Sequence, residues 1–428
     1  MSTEITAPRT VLVIAYYFPP MGLSGVQRTL KFVKYLPQFG WQPTVLTVTP
    51  TGYFAQDPTL LEELNGKNIE IIRSGSLDVN RFFKKKSTVK MPSERWEKAL
   101  RFTSDLFFIP DNKIGWRRKA VHAASELLSK SRFDILFATA PPFTDFLIGM
   151  DLAEKFKIPL ILDYRDPWLE FPVKYYPTPY HRWKNYILEK QALQRSTKVI
   201  VTNRRVKELI LKQYEFLRYD DVEIISQGYD PEDFAPAAGV QHAGSGKFTI
   251  THTGVFNGDR SPKYFFEALK KIFTDSPELK DKIEARIVGN FQDGYVKMIQ
   301  TMGLESNIVL TGYLSHADSV KELLNADCLW LMLMNDRQSP GKLYEYIAAR
   351  KPILACVPDG FIKQTVLEAG AGIITNPTSV DEIAGAILIL YQQFKDKKLP
   401  VPKDEIVRKY DRSALTYELS NIMGFLVE

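Results

Sequence analysis

Short apolar runs alternate with longer amphipathic stretches along this chain, and this alternation constrains its fold more than any other feature. Residues 11–16 are continuously apolar, as expected of a strand buried on both faces of a parallel sheet. Apolar residues then recur at helical spacing over residues 26–36, and a second strand-like run covers residues 44–48. Strands joined by helical crossovers predict a doubly wound α/β fold.

The alternation stops near the middle of the chain and then restarts. Residues 228–231 close the first series, and residues 236–246 are rich in alanine and glycine with almost no large apolar residue, which is typical of a linker. The chain has 428 residues, which is enough for two domains. We therefore predict two doubly wound α/β domains of similar size. Residues 412–426 are predicted to form a helix that could belong to either domain.

Cysteine and histidine usage narrows the chemistry. The two cysteines, Cys328 and Cys356, lie in apolar runs, which excludes a disulfide framework and a cysteine-rich zinc site. The five histidines include no His-x-x-x-His pair, so no bound metal is expected. The longest apolar run, residues 11–18, falls far short of the ~18 residues needed to cross a bilayer, and the polar N-terminus does not resemble a signal peptide. The expected location is the reducing cytoplasm.

Ligands of open α/β sheets bind beyond the carboxyl ends of the strands, so the loops after the strands hold the candidate site residues. After the first strand, Gly22, Ser24 and Gly25 could present backbone N–H groups to an anion at a helix start, although a plain tight turn explains them too. The spacing is not Gly-x-Gly-x-x-Gly, and no acidic residue ends the second strand. A nicotinamide dinucleotide site is therefore disfavoured.

A second candidate loop, residues 163–168, carries two carboxylates and a guanidinium directly after a buried strand. Asp166 could accept a proton from an attacking hydroxyl or orient a sugar, and Asp163 is the weaker candidate. The structural alternative is a pair between Arg165 and an aspartate that holds the loop against Trp168.

Two loops in the second half could hold a diphosphate and its nucleoside. Gly254 ends a strand and Arg260 follows it, although a solvated basic helix start is the alternative. Further along, Gly341 and Lys342 lie at a predicted helix N-terminus, where backbone and charge can meet a phosphate. Glu345, one turn later, could accept hydrogen bonds from the two ribose hydroxyls, or it could merely complement the helix dipole.

The chain resembles family-four retaining glycosyltransferases of the GT-B fold over nearly its whole length. The segments that carry the resemblance are residues 22–25, 163–168, 228–234 and 340–346. The resemblance implies a hexosyltransferase type of enzyme that needs no metal and no cofactor. It places the acceptor in an N-terminal domain, residues 1–228, and a nucleotide-diphosphate sugar in a C-terminal domain, residues 229–410. Residues 411–428 would cross back and pack on the N-terminal domain. Bacterial surface polysaccharide synthesis is the expected role.

The resemblance also assigns site residues. It implies that Glu345 binds the ribose and that Arg260 binds the donor phosphates. It also implies that the leaving phosphate helps to deprotonate the acceptor hydroxyl and that no covalent nucleophile takes part. The family's first motif glutamate is replaced by Arg337. The donor-binding residues it implies are Gly254, Arg260, Gly289, Tyr313, Leu314, Gly341, Lys342, Leu343 and Glu345. The residues expected to act in catalysis are Asp166, Arg260 and Lys342.

Two other functions stay open at this stage. A sugar-nucleotide epimerase of the same fold would need acid and base groups around the sugar, whereas position 337 supplies an arginine. A non-catalytic sugar-nucleotide or glycan-binding subunit is the second alternative, because the first motif glutamate is missing.

The segment from Arg81 to Lys119 is strongly basic, with twelve Lys or Arg against four Asp or Glu and seven interleaved aromatics. These aromatics include Phe82, Phe83, Trp96 and Trp116. The expected acceptor is a glycan or is lipid-linked. With such an acceptor, the basic and aromatic composition of the segment predicts that the protein binds peripherally to an anionic membrane surface at the inner face of the plasma membrane. Nucleic acid is not expected, because no recognition fold surrounds the segment. A solvated helix that packs its aromatics on the domain is the structural alternative.

Overall fold

The computed structural model describes residues 8–22, 24–50, 56–77, 94–171, 174–235, 246–256, 260–336 and 339–428, with side chains except at 24 and 94–99. The chain divides into two compact units. The N-terminal unit contains Met1–Gln227 together with Arg412–Glu428, and the C-terminal unit contains Gly228–Asp411. Each unit has a hydrophobic core of its own around a parallel sheet.

In the described part of the N-terminal unit, seven parallel strands form one sheet. They are β1 (Arg9–Ile14), β2 (Trp41–Val48), β3 (Glu70–Ser74), β4 (Ile135–Ala140), β5 (Leu160–Tyr164), β6 (Lys198–Val201) and β7 (Val222–Ile224). Their order is β3-β2-β1-β4-β5-β6-β7. Strand β1 lies between β2 and β4, where both of its faces are covered, and this position accounts for its unbroken apolar sequence.

Helices connect these strands. They are α1 (Ser24–Tyr35), α2 (Glu94–Phe107), α3 (Ile114–Leu128), α4 (Thr144–Phe156), α5 (Pro179–Arg195) and α6 (Arg204–Gln213). The predicted helical spacing of the first helix is confirmed, because Val26, Leu30 and Val33 are fully buried. A short 3-10 turn, Leu36–Phe39, follows α1, and Gly40 ends it with a left-handed φ of 77°.

The described part of the C-terminal unit has six parallel strands in the order β10-β9-β8-β11-β12-β13. They are β8 (Phe248–Thr253), β9 (Ile283–Val288), β10 (Ile308–Gly312), β11 (Cys328–Met332), β12 (Ile353–Cys356) and β13 (Gly372–Thr375). The helices are α7 (Pro231–Phe234), α8 (Lys263–Asp275), α9 (Asp293–Met302), α10 (His316–Asn325), α11 (Gly341–Ala348), α12 (Phe361–Ala369), α13 (Val380–Lys395) and α14 (Asp404–Lys409). The two parallel sheets with alternating helices confirm the predicted fold class.

The last helix, α15 (Arg412–Phe425), follows the C-terminal unit in sequence but belongs to the N-terminal unit. Leu415, Leu419 and Met423 lie one helical turn apart and are buried in the N-terminal core. At the start of the helix, Arg412 Nη2 donates to Gln227 Oε1 at 3.0 Å. The helix therefore ties the C-terminal end of the chain to the N-terminal unit.

Each sheet has one position where the strand order reverses, between β1 and β4 in the N-terminal unit and between β8 and β11 in the C-terminal unit. Loops that leave the carboxyl ends of such strand pairs diverge to opposite sides of the sheet and open a crevice for ligands. Ligand-binding residues are therefore expected in the loops at these two positions.

The part of the basic segment, residues 81–119, whose side chains the structure describes contains both exposed and buried aromatic residues. Residues 78–93, including Phe82 and Phe83, lie outside the described residues, as does the side chain of Trp96. The membrane interpretation of the segment includes Trp116 among its aromatics, and for Trp116 it is wrong. Its side chain is fully buried under α3, where Trp116 Nε1 donates to Ser74 Oγ at 2.8 Å. No helix among the described residues combines the length and apolar character that crossing a bilayer would require.

Candidate functional site

Glycines occupy the carboxyl ends of three neighbouring strands in the C-terminal unit. Gly254 follows β8 with φ +111°, and its N–H donates to the Val288 carbonyl at 2.7 Å. Gly289 follows β9 with φ +135°, and a Cβ there would lie 2.5 Å from the Gly254 carbonyl oxygen. Only glycine fits such a close backbone approach at a left-handed φ. The N–H of Gly289 in turn donates to the Gly312 carbonyl at 2.9 Å.

This glycine edge brings several predicted donor residues together. The Gly289–Gly312 bond places the turn after β10, which holds Tyr313 and Leu314, next to the end of β9. On the other side, a Cβ added to Gly254 would lie 2.9 Å from Lys342 Nζ. Lys342 therefore reaches from α11 across to the end of β8. Residues nearly ninety positions apart in sequence meet at the point where the strand order reverses.

The hydroxyl of Tyr346 fixes the position of α11 on the sheet. It accepts a hydrogen bond from the Thr253 N–H at 2.9 Å and lies 3.3 Å from the Trp330 carbonyl, to which it donates. Leu343 is fully buried in the core and its N–H donates to the Pro340 carbonyl at 3.2 Å, so its side chain does not face a ligand. Gly341 is the first residue of the helix, a position where backbone N–H groups can bind an anion.

A hydrogen bond joins Lys342 to His252, which lies in β8. Lys342 Nζ is 3.3 Å from His252 Nε2, and His252 Nδ1 is 2.8 Å from the Trp330 carbonyl oxygen. A carbonyl can only accept, so Nδ1 carries the proton and Nε2 accepts from the amine. Burial lowers the pKa of His252 well below its ordinary value, and the charges of Lys342 and Arg260 lower it further. The imidazole is therefore neutral.

Lys342 is held in an unusual electrostatic setting. Burial lowers the pKa of Lys342 to about 7, the charge of Arg260 contributes in the same direction, and the charge of Glu345 opposes both. Arg260 lowers the pKa values of both Lys342 and His252, so its positive charge acts on this pair. Two cationic side chains beside a helix N-terminus form a site whose charge an anion such as a diphosphate would balance.

The remaining predicted donor residues are placed as follows. Arg260 is half-buried just before α8, and Tyr295 Oη donates to its carbonyl at 3.4 Å. Glu345 is half-buried in α11, three residues after Lys342 and hence on the same side of the helix. Arg337, which replaces the first motif glutamate, lies outside the described residues.

In the N-terminal unit, Asp163 has a structural role. It is fully buried, and its carboxylate accepts from Arg28 Nη2 at 2.8 Å and from Thr139 Oγ1 at 2.8 Å. Arg28 also donates to the backbone carbonyl of Ser226 at 2.7 Å. The suggested pair between Arg165 and an aspartate is therefore wrong for Asp163, whose partner is Arg28.

Arg165 instead binds backbone. Its guanidinium donates to the carbonyls of Gly25 and Pro141, which joins the start of α1 to the loops after β4 and β5. Asp166, the next residue, is half-buried at this junction. Gly22 is buried before α1, and Ser24 is the first residue of that helix. The structure thus brings the Gly25 loop and the Asp166 loop together through Arg165.

Two groups at these edges were missed as site residues. His252 had a weak signal, since it stands at the end of a strand just before Gly254. Asp145 lies in the first turn of α4. No sequence signal distinguishes it from an ordinary carboxylate that complements a helix dipole. Asp145 Oδ2 accepts from the Tyr16 N–H at 2.8 Å, and burial raises the pKa of Asp145 well above its ordinary value.

Family models match both units. Residues 239–400 match the family described as "Glycosyl transferases group 1", and residues 24–233 match "Glycosyltransferase Family 4". No curated protein matches the chain in sequence.

Solved structures share the fold at low sequence identity. HepE from Anabaena, in complex with UDP and glucose, has a TM-score of 0.66 at 15% identity, over 97% of this chain and 100% of that chain. Sucrose-phosphate synthase from Thermosynechococcus elongatus has a TM-score of 0.67 at 13% identity, over 98% and 99%. WaaG, "a glycosyltransferase involved in lipopolysaccharide biosynthesis", has a TM-score of 0.61 at 14% identity, over 96% and 99%.

Two parallel Rossmann-like sheets that match such enzymes over almost their full length define a two-domain α/β protein of the GT-B fold. The family matches go further, since together they cover most of both units. The chain belongs to the glycosyltransferases of the group 1 and family 4 type, and it is a glycosyltransferase. The resemblance drawn from its motifs is thereby confirmed in family and fold.

Proposed function

We propose that this glycosyltransferase transfers a sugar from a nucleotide-diphosphate sugar to an acceptor hydroxyl, with retention of configuration and without a metal ion. The observation that carries the proposal is the position of Lys342 at the start of α11, against Gly254 at the glycine edge of the C-terminal sheet and under the charge of Arg260. The amines and helix amides there suit a diphosphate. The complex of HepE with UDP and glucose supports a nucleotide-sugar donor.

The proposed chemistry follows from these charges. Negative charge grows on the leaving diphosphate as the sugar departs, and Lys342, Arg260 and the N-terminal amides of α11 stabilise it, in place of a metal ion. Glu345 holds the ribose hydroxyls, and the turn after Gly312 borders the nucleotide base. The acceptor hydroxyl attacks on the face that the diphosphate leaves. A phosphate oxygen takes its proton, so no covalent nucleophile is needed.

The N-terminal unit is proposed to bind the acceptor, and the C-terminal unit to bind the donor. The loop of Gly22, Ser24 and Gly25 and the neighbouring Asp166 lie at the carboxyl edge of the N-terminal sheet, where ligands of such sheets bind. Asp166 orients the acceptor sugar there. A glycan or lipid-linked acceptor in bacterial surface polysaccharide synthesis fits this arrangement, and the role of WaaG in lipopolysaccharide biosynthesis supports that class.

A donor panel tests the proposal against its alternatives. Purified protein is incubated with several labelled sugar nucleotides, with and without EDTA, and the products are separated and their anomeric configuration is read by NMR. Transfer or slow donor hydrolysis that survives EDTA is expected. A donor with an altered sugar would instead identify an epimerase, and a panel of unchanged donors would identify a non-catalytic binding subunit.

Replacing Asp166 with asparagine is expected to reduce turnover about a hundredfold while donor affinity stays the same. The substitution keeps the size of the side chain but removes the charge that orients the acceptor, and misplaced reactants lose rate on this scale. Steady-state kinetics with the donor found above give turnover, and calorimetry gives donor affinity. Asp220→Asn, at an exposed site of the same unit, is the matched control. Full turnover in Asp166→Asn would leave this loop with a structural role only.

We further propose that the N-terminal unit binds an anionic membrane surface through an exposed apolar patch. The patch consists of Leu100, Phe102, Leu106 and Phe107 from the second half of α2, Tyr175 just before α5, and Tyr180 and Trp183 at the start of α5. His181 Nε2 lies 3.0 Å from the Leu106 carbonyl oxygen, and the Phe102 and Tyr175 rings are 6.2 Å apart, so the two helices present the patch together. Aromatic side chains of this kind bury apolar area at a lipid interface.

The basic residues of the segment supply the electrostatic half of this membrane proposal. Lysines near an anionic surface contribute about 1 kcal/mol each, and salt screens their attraction. We place Lys84, Lys85 and Lys86 in this role on sequence alone, since they lie outside the described residues. The protein would act at the cytoplasmic face of the membrane, where a lipid-linked acceptor is found.

Flotation with phosphatidylserine-containing liposomes is expected to recover the protein at low salt and much less of it at high salt. The Phe107→Ser/Trp183→Ser variant removes side chains that are 73% and 55% exposed, so it should float several-fold less without loss of folding. Leu367→Ser, at a 50% exposed site in the C-terminal unit, is the matched control. A Lys84/Lys85/Lys86→Glu variant that floats as well as the parent would contradict the proposal.

A further inference from the structure

The amine of Lys342 rests against a neutral acceptor and not against a carboxylate. The ring of His252 stacks on Phe256 with centroids 4.5 Å apart and lies 4.9 Å from the Trp330 ring, which fixes its plane. Its Nδ1 proton is committed to the Trp330 carbonyl at 2.8 Å, and this leaves Nε2 to accept from Lys342 at 3.3 Å. The imidazole therefore fixes the position of the Lys342 amine, but as a neutral group it does not offset the positive charge of the protonated amine.

The charges around this amine do not favour its ammonium form. Arg260 repels a positive charge on Lys342, and Glu345, on the same helix, attracts it. His252 is neutral, and burial raises the pKa of Tyr346 so that its phenol also stays neutral. Burial and Arg260 outweigh Glu345 and bring the pKa of Lys342 to about 7. Above neutral pH the amine is therefore largely uncharged before a ligand arrives.

We propose that His252 is a positioning residue for Lys342, and that the positioned amine takes up one proton from solvent when a nucleoside diphosphate binds. The inference rests on the proposed donor site. The proton adds to the Nζ lone pair of Lys342 and no other bond changes, since one N–H continues to donate to His252 Nε2. The diphosphate supplies the negative charge that offsets both burial and the repulsion by Arg260.

Calorimetry measures this proton directly. UDP, GDP, ADP, CDP and dTDP are each titrated into the full-length protein, and the tightest ligand is re-titrated in HEPES and in Tris buffer, neither of which supplies a phosphate that competes for the site. The difference in heat between buffers of different ionisation enthalpy gives the number of protons bound. With a pKa near 7, Lys342 should take up about one proton near pH 8, where the terminal phosphate of the ligand is already ionised. The matching nucleoside, which has no phosphate, should bind without uptake.

Two variants separate the roles of the amine and the imidazole. Lys342→Arg keeps a positive charge that does not titrate, so it should bind the diphosphate with no proton uptake. His252→Phe keeps a flat ring between Phe256 and Trp330 but removes the acceptor. It should bind the diphosphate about tenfold more weakly near pH 8 and leave nucleoside affinity unchanged.

The pH profile distinguishes positioning from simple packing. Loss of the acceptor removes an interaction that favours the ammonium form, so the midpoint in the pH dependence of diphosphate affinity should move to lower pH in His252→Phe. His252→Gln, whose amide oxygen can accept, should recover part of the affinity and of the midpoint.

The outcomes against this inference differ from those against the proposed function. Diphosphate binding near pH 8 without proton uptake would overturn the inference and leave the donor site intact. Uptake that persists in Lys342→Arg, or a His252→Phe variant with parental affinity and midpoint, would do the same. Failure of all five diphosphates to bind would overturn the donor site itself and this inference with it.

Discussion

Replacing Asp163 with alanine is expected to destabilise the N-terminal unit by about 3–5 kcal/mol, because it leaves a buried guanidinium without its counter-charge. Arg28 and Asp163 are both fully buried and are joined by hydrogen bonds of 2.8 and 3.1 Å. The carbonyls of Ile225 and Ser226 accept the other N–H groups of Arg28, so the charge cannot move out to water without breaking the end of β7 from α1.

Urea unfolding followed by tryptophan fluorescence measures this loss. Asp151→Ala is the matched control, since Asp151 also binds an arginine in two places but its pair with Arg117 is about one-third exposed; it should cost less than about 1 kcal/mol. The double variant Arg28→Met/Asp163→Leu should recover most of the stability, because it removes both buried charges. Equal losses in Asp163→Ala and Asp151→Ala would contradict the argument.

The central strands of both sheets could be predicted from sequence because burial on both faces leaves unbroken apolar runs, as in β1 and β11. Strands β7 and β13 do not stand out in the sequence in this way. They have three and four residues, lie at the edges of their sheets and are partly exposed, so their sequences carry no such run. Sequence periodicity reports how fully a strand is covered, and an edge strand is covered on fewer sides.

Composition alone could not place the aromatics of the basic segment. The count of charges and rings between Arg81 and Lys119 is the same whether a ring faces water or the core. Trp116 faces the core because α3 packs against the sheet, where Ser74 accepts from its indole. Phe107, at the end of α2, is exposed, and only the packing of each helix separates the two cases.

The site shows the same limit. Gly254, Lys342 and Glu345 could each be proposed from the motif around it, because a glycine at a strand end and a lysine at a helix start have local causes. The contact between His252 and Lys342 could not, since it joins residues 90 positions apart. Likewise, the partner of Asp163 proved to be Arg28, 135 positions away, and not the adjacent arginine.

Replacing Glu345 with alanine is expected to weaken nucleoside-diphosphate binding by about 2–4 kcal/mol, which is about 30-fold to 1000-fold in dissociation constant. Two ribose hydroxyls that donate to one carboxylate form charged hydrogen bonds, and alanine removes both. Calorimetry with the tightest diphosphate measures the loss. Glu368→Ala is the matched control, because Glu368 is an exposed glutamate in α12, paired only loosely with Lys409 at 3.9 Å.

Inorganic pyrophosphate separates a ribose contact from a phosphate contact. Glu345 also favours the charged form of Lys342, whose pKa is about 7. Above neutral pH, the loss of Glu345 would therefore weaken the binding of any anion at Lys342. Near pH 6 Lys342 is largely protonated in the parent even without a bound anion, so Glu345→Ala should lose much less affinity for pyrophosphate than for the nucleoside diphosphate. The nucleoside diphosphate should still lose its ribose hydrogen bonds. Equal losses of affinity for both ligands near pH 6 would show that Glu345 acts on phosphate binding and not on the ribose. No loss of affinity for either ligand would show that Glu345 is not part of the donor site.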